Sequence, residues 1–129
     1  MKNSNVMEPI ILADVKNDMA VAQNENFSPV AVLIPVNSEQ EAIQVANATP
    51  FGLSGAVYSG SLERGIHVAR KIKTGMMHVN DQSINIESNI PFGGEKFSGL
   101  GRKSGEWALE EFTTVKWVSV QKEPRYPFS

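Results

Sequence analysis

Pro29-Val30-Ala31-Val32-Leu33-Ile34-Pro35-Val36-Asn37-Ser38-Glu39-Gln40-Glu41-Ala42-Ile43-Gln44-Val45-Ala46 is the stretch on which the fold turns. Its first eight residues are apolar throughout and rich in β-branched side chains, which predicts a strand covered on both faces and therefore a parallel sheet. Ser38 followed three residues later by Glu41 is a capping box, and Ala42, Ile43, Val45 and Ala46 then recur at helical spacing. A strand that runs through a cap into a helix is the opening of a βαβ unit.

The same alternation continues on either side. Upstream, Glu8 to Ala13 is a short apolar run entered through Pro9, which suits a buried strand, and Asp18 to Asn24 has room for one or two helical turns. Downstream, the helix should stop between Asn47 and Gly52, where Asn, Thr, Pro and Gly punctuate the chain. Ser54 to Ser59 predicts a second strand. Ser61 then caps a helix whose Leu62, Ile66 and Ala69 recur at i, i+4 and i+7. Gly75-Met76-Met77-His78-Val79-Asn80 predicts a third core strand. Strands alternating with helices of this length imply an α/β fold with a parallel sheet and right-handed crossovers.

From Asp81 to Gly105 the periodicity disappears and glycines gather at 93, 94, 99, 101 and 105. A stretch that long without its own pattern is usually functional or disordered. Helical spacing returns at Ser104 to Phe112. Thr113 to Gln121 follows as a β-prone run in which Thr114, Lys116 and Gln121 interrupt Val115, Trp117 and Val118, the composition of an edge strand.

Composition narrows the classes of function. A chain of 129 residues is expected to form one domain around one core and to bury roughly two-thirds of its unfolded surface. With 41% hydrophobic and 20% charged residues it is expected to be soluble and folded. A net charge of -2 offers no basic field for nucleic acid or an anionic membrane. Its apolar runs are far shorter than a membrane-crossing helix needs, and the polar start Met1-Lys2-Asn3-Ser4-Asn5 leads into no signal stretch, so a cytoplasmic protein is expected. There is no cysteine, hence no disulfide, no thiolate metal site and no cysteine nucleophile. His67 and His78 fall on different elements with no acidic partner at ligand spacing, so no metal site is expected. Gly99-Leu100-Gly101-Arg102-Lys103-Ser104-Gly105 misses a dinucleotide fingerprint by one residue of spacing, and no strand leads into it.

Four blocks in fixed order carry a resemblance. They are Glu25-Asn26-Phe27-Ser28-Pro29-Val30, then Glu41 to Asn47 with Gly52-Leu53, then Gly75 to Asn80, and finally Pro91-Phe92-Gly93-Gly94-Glu95-Lys96-Phe97-Ser98-Gly99-Leu100-Gly101-Arg102. Together they span about Pro9 to Val120 and resemble the C-terminal part of the aldehyde dehydrogenase catalytic domain. Asn80-Asp81-Gln82, Glu106-Trp107-Ala108 and Val118 to Gln121 resemble the branch acting on benzaldehyde or vanillin.

The resemblance implies a partial catalytic domain over 1–112 and an oligomerisation strand with its tail over 113–129. It implies an NAD(P)-dependent oxidation of an aldehyde to an acid. In such enzymes the aldehyde is trapped on a cysteine, and both that cysteine and the dinucleotide-binding domain precede the segment matched here. No catalytic residue is therefore assigned, this chain alone is expected to be inactive, and neither NAD nor NADP is expected to bind it tightly.

Glu25 matches the family carboxylate that accepts from the nicotinamide ribose hydroxyls, although taken alone it reads as a solvated glutamate before a strand. Phe27 matches the aromatic beside the nicotinamide ring; taken alone it is ordinary packing. The family usually has glycine at Ser28 and an acid at Asn24, so the backbone there is expected to differ slightly. Phe92 and Ile86 match side chains of the aldehyde tunnel, and Phe92 equally suits a core aromatic beneath the glycine turn. Partners implied are a second copy through strand 113–121 and intact aldehyde dehydrogenase subunits. A reading from another class, a non-catalytic assembly module, fits the same residues.

Overall fold

The structure, a computed structural model, describes residues 6–123. Strand β1 (Ile10–Leu12) leads through a short helix α1 (Ala20–Gln23) to β2 (Val30–Val32), and the two strands pair in parallel with Ile10 opposite Val30. Helix α2 (Glu39–Asn47) returns the chain to β3 (Phe51–Gly52) and β4 (Ser54–Val57). Helix α3 (Leu62–Ala69) then crosses to β5 (Met76–Val79), parallel to β4 with Ser54 opposite Met76. These are the α/β units expected, with shorter strands.

Local chemistry explains the helix starts. Ser38 Oγ accepts from the Glu41 amide at 3.1 Å, as its spacing predicts. Glu41 reaches back to the Asn37 amide at 2.7 Å, one residue earlier than in a standard capping box. Ser61 accepts from the Arg64 amide at 3.3 Å and starts α3 in the same way. Helix α3 lies on the β4/β5 pair because Gly65 has no side chain: a Cβ there would press on Val79. Across the helices Arg64 Nε donates to Glu39 Oε2 at 2.6 Å, and this bond holds the Glu39 carboxyl below its ordinary range.

Three expectations are corrected. The strands do not form one continuous sheet: they make three separate pairs, the third being β3 with β6 (Glu95–Lys96), which run antiparallel. The strand beginning at Val30 is not covered on both faces, since Ala31 and Leu33 are exposed. Nor is there one substantial core. Among the described residues only Val15 (5%) and Ile43 (6%) are buried hydrophobic side chains. The accessible surface is 10868 Å², whereas a folded monomer of 14.1 kDa exposes about 6700 Å². Each sheet face and helix stripe needs a second layer to bury it, and among the described residues many such faces are left uncovered.

The expected edge strand over 113–121 also differs. After α4 (Gly105–Phe112) the backbone turns extended at Thr113, yet no ladder forms through 121, and Val115 (103%) and Trp117 (89%) stand in the open. A strand is defined by its pairing, and among the described residues none pairs with 113–121. Residues 1–5 and the tail 124–129, which belonged to the expected domain boundaries, lie outside the described residues. No helix among the described residues is long and apolar enough to cross a membrane.

Candidate functional site

The glycine-rich block, which has no sequence periodicity, is ordered by pairing with distant segments. Lys96 and Glu95 pair with Phe51 and Gly52 across β3/β6. The Phe97 amide donates to Pro50 O at 3.1 Å, and Ser98 Oγ accepts from the Gly52 amide at 2.9 Å. Lys96 Nζ donates to the carbonyls of Asn47 (3.0 Å) and Thr49 (2.9 Å), satisfying acceptors left open at the end of α2. Farther along, Phe92 and Lys103 exchange both backbone bonds at 2.8 Å. Arg102 ties the turn down by donating to Gly94 O and Gly101 O and by pairing with Glu95.

Two grooves result. The first, about 620 Å³, is walled by β3, β4, Thr74, Met77 and the Phe97-Ser98 turn, with Glu25 at its edge. Glu25 is the one charged side chain on that wall, which is otherwise apolar or hydroxylic. Such a wall can hold a flat or polyhydroxylated group by hydrogen bonds to one carboxylate. The second groove, about 340 Å³, is lined by Phe92, Leu100 and Phe112 among others, and Lys103 Nζ lies 5.0 Å from the centre of the Phe92 ring. Leu53 and Ser98 line both grooves. The structure therefore places Glu25 and Phe92 in two grooves that share Leu53 and Ser98.

Phe27 and Ile86 behave differently. Phe27 is 94% exposed and Ile86 is also exposed, and neither lines either groove. Phe97, 84% exposed, lines the Glu25 groove together with Phe51. Its position escaped the sequence because the signal is a contact with Pro50, not a spacing; the crowding of glycines around it was the one available hint.

The Gly99 to Gly105 segment forms no phosphate cradle. The strand before it, β6, is only two residues long and antiparallel to β3, and the Gly105 amide that opens α4 is already bonded to Ser88 O at 3.1 Å. On the first groove's wall, the Glu25 carboxylate is the charged group that could accept hydrogen bonds from the hydroxyls of a sugar. His67 lies on the surface of α3 and His78 on β5, and among the described residues no group of three or more His, Cys, Asp or Glu is placed to hold a metal.

The model of the aldehyde dehydrogenase family matches residues 1–118. A benzaldehyde dehydrogenase of Bacillus subtilis is 58% identical over 127 residues, which are 98% of this chain and 26% of that protein. A crystal structure of a Pseudomonas putida salicylaldehyde dehydrogenase complexed with salicylaldehyde superposes with a TM-score of 0.86 at 38% identity, over 92% of this chain and 25% of that one. A Mycobacterium tuberculosis aldehyde dehydrogenase complexed with NAD+ superposes at 0.76 with 39% identity, over 81% and 21%. This chain spans about a quarter of the length of the curated relatives it matches.

Proposed function

Since the chain belongs to the aldehyde dehydrogenase family, we propose that it serves as the C-terminal quarter of an NAD(P)-dependent dehydrogenase that oxidises an aromatic aldehyde to its carboxylic acid. In this reading Glu25 accepts hydrogen bonds from the nicotinamide ribose and so fixes the sugar's orientation, while Phe27 flanks the ring. Phe92 and Ile86 wall the aldehyde side. The cofactor supplies the hydride acceptor. The residues here only orient and shield, because a chain without cysteine has no thiolate to attack the carbonyl carbon. By itself the chain is inactive and binds neither NAD nor NADP tightly. In the cell we place it in the cytoplasm, and we propose that residues 113–121 pair with a second copy by strand addition. Intact aldehyde dehydrogenase subunits are the other partner of that strand.

The observation that carries this reading is Glu25 lining a groove that shares Leu53 and Ser98 with the Phe92 groove. Relatives named for benzaldehyde and salicylaldehyde support the aromatic substrate, and the NAD+ of the mycobacterial relative supports NAD as the cofactor.

A chimera tests it. In the Bacillus subtilis relative, the matched quarter is replaced by this chain, and NADH formation with benzaldehyde is followed. Activity is expected, and Glu25→Gln should raise KM for NAD roughly ten- to a hundredfold, the worth of one charged hydrogen-bond acceptor. A folded chimera that never reduces NAD, or whose KM ignores Glu25→Gln, overturns the proposal.

A further inference from the structure

Resting on the aromatic-aldehyde reading above, we infer that the Phe92 groove selects an aromatic aldehyde whose ring carries a carboxylate, with the Lys103 ammonium as the counter-charge.

Pairing sets the geometry. Phe92 and Lys103 stand opposite each other across an antiparallel bridge and exchange both backbone bonds at 2.8 Å. Residues directly opposite in such a pair project from the same face. The two side chains therefore leave the backbone together, and Lys103 Nζ comes to rest 5.0 Å from the centre of the Phe92 ring. A ring face attracts a cation, yet it gives an ammonium none of the short charge-assisted hydrogen bonds that a carboxylate gives.

The other charges of the groove are engaged elsewhere. Arg102 donates to Gly94 O and Gly101 O and pairs with Glu95. The Glu111 carboxylate lies against Gly101, so close that a Cβ on that glycine would stand 2.8 Å from its Oε2. Among the described residues two ion pairs form, Glu39 with Arg64 and Glu95 with Arg102, and neither includes Lys103. An ammonium has three donors and no acceptor, so Lys103 is the group in this groove that calls for an anion. Glu111 repels one, which places the anion at Lys103.

The remaining lining fixes the class of ligand. Leu53, Leu100 and Phe112 join Phe92 as apolar walls. A volume of about 340 Å³ lies at the small end of the roughly 300–1,000 Å³ of small-molecule sites and suits one aromatic ring with its substituents. A ring packed on these walls brings a carboxylate to Nζ, whereas an uncharged ring fills the same walls and leaves Lys103 without a partner. Leu53 and Ser98 also line the Glu25 groove, so the ring is held next to the side assigned to the cofactor.

Two aldehydes of nearly equal shape test this: para-formylbenzoate and its uncharged amide, para-formylbenzamide. In an NMR titration of the whole chain, read at the Phe92 ring and the Lys103 ε-methylene, formylbenzoate should bind at least about tenfold more tightly, the effect of one charge-assisted bond. Lys103→Met should erase that preference, while Lys103→Arg, which keeps the charge, should retain most of it. Equal affinities, no shift at Phe92 and Lys103 with either ligand, or a preference that survives Lys103→Met overturns the inference. In the chimera the same preference should appear in kcat/KM, and a ratio near one in an active chimera overturns it as well. A chimera that reduces no NAD refutes the functional reading alone, because the titration needs no turnover.

Discussion

Gly75 lies directly against the carbonyl of Gly93, so close that a side chain on Gly75 would occupy the space of that carbonyl oxygen. Residues eighteen apart in sequence thus fasten the start of β5 to the glycine-rich turn that walls both grooves.

Gly75→Ala is accordingly expected to destabilise the chain by about 3 kcal/mol, because backbone must move to admit the methyl group. Gly60→Ala, where nothing lies within 4 Å, is the control and should stay within about 0.5 kcal/mol of the parent. Urea denaturation compares them. Equal midpoints would remove the significance of the Gly75–Gly93 contact.

Ser38→Ala should cost about 1 kcal/mol by freeing the Glu41 amide at the start of α2. The loss should appear as faster amide exchange confined to the first turn. A global loss of helical signal would mean that α2 depends on its cap far more than a single bond allows.

The Glu39 carboxyl sits below its ordinary value of 4.5 chiefly because Arg64 donates to it, with Arg64, His67 and Lys71 also attracting its charge and desolvation opposing them. A carboxyl depressed in the folded state contributes stability that is complete above the unfolded value and is lost as pH falls through the folded one. The link between α2 and α3 should thus hold above about pH 4.5 and weaken in more acidic solution. Arg64→Met should move the Glu39 midpoint upward in a carbon NMR titration; an unmoved midpoint would contradict the pairing.

Trp117→Ser and Val115→Asp should abolish self-association while leaving the denaturation midpoint of the monomer unchanged, since both side chains are exposed and pack on nothing. Light scattering after size exclusion, at about tens of micromolar, measures the first effect. A parent chain that runs only as a monomer there would refute strand exchange through 113–121.

The purified chain should reduce no NAD with benzaldehyde, and calorimetry should detect no binding of NAD tighter than about 1 mM. Sustained turnover by contaminant-free protein would mean that something other than a thiolate traps the aldehyde.

Much of this was legible in the residues. Ser38 and Ser61 start their helices where spacing says they should, and Ile10, Val30, Ser54 and Met76 open the parallel pairs, because caps and apolar runs act within a few residues of themselves. The family was legible too, from blocks that keep their order. Of the residues that the sequence offered for a site, the structure gathers only some. Glu25 and Phe92 line adjacent grooves, whereas Phe27 and Ile86 face open space and Phe97 takes the wall beside Glu25. The short β3/β6 pair and the bonds from Lys96 to Asn47 and Thr49 left no periodic trace, since each joins segments more than forty residues apart.

By itself, the sequence determined the order of helices and strands, the family, and the lack of any sulfur nucleophile, for these depend on residue type and near neighbours. Only the tertiary structure decided that the glycine-rich turn is an ordered wall, that the described strands form three separate pairs, and that 113–121 finds no pairing partner among the described residues. Pairing and burial require a second surface at the right place, and no local pattern states whether that surface is present.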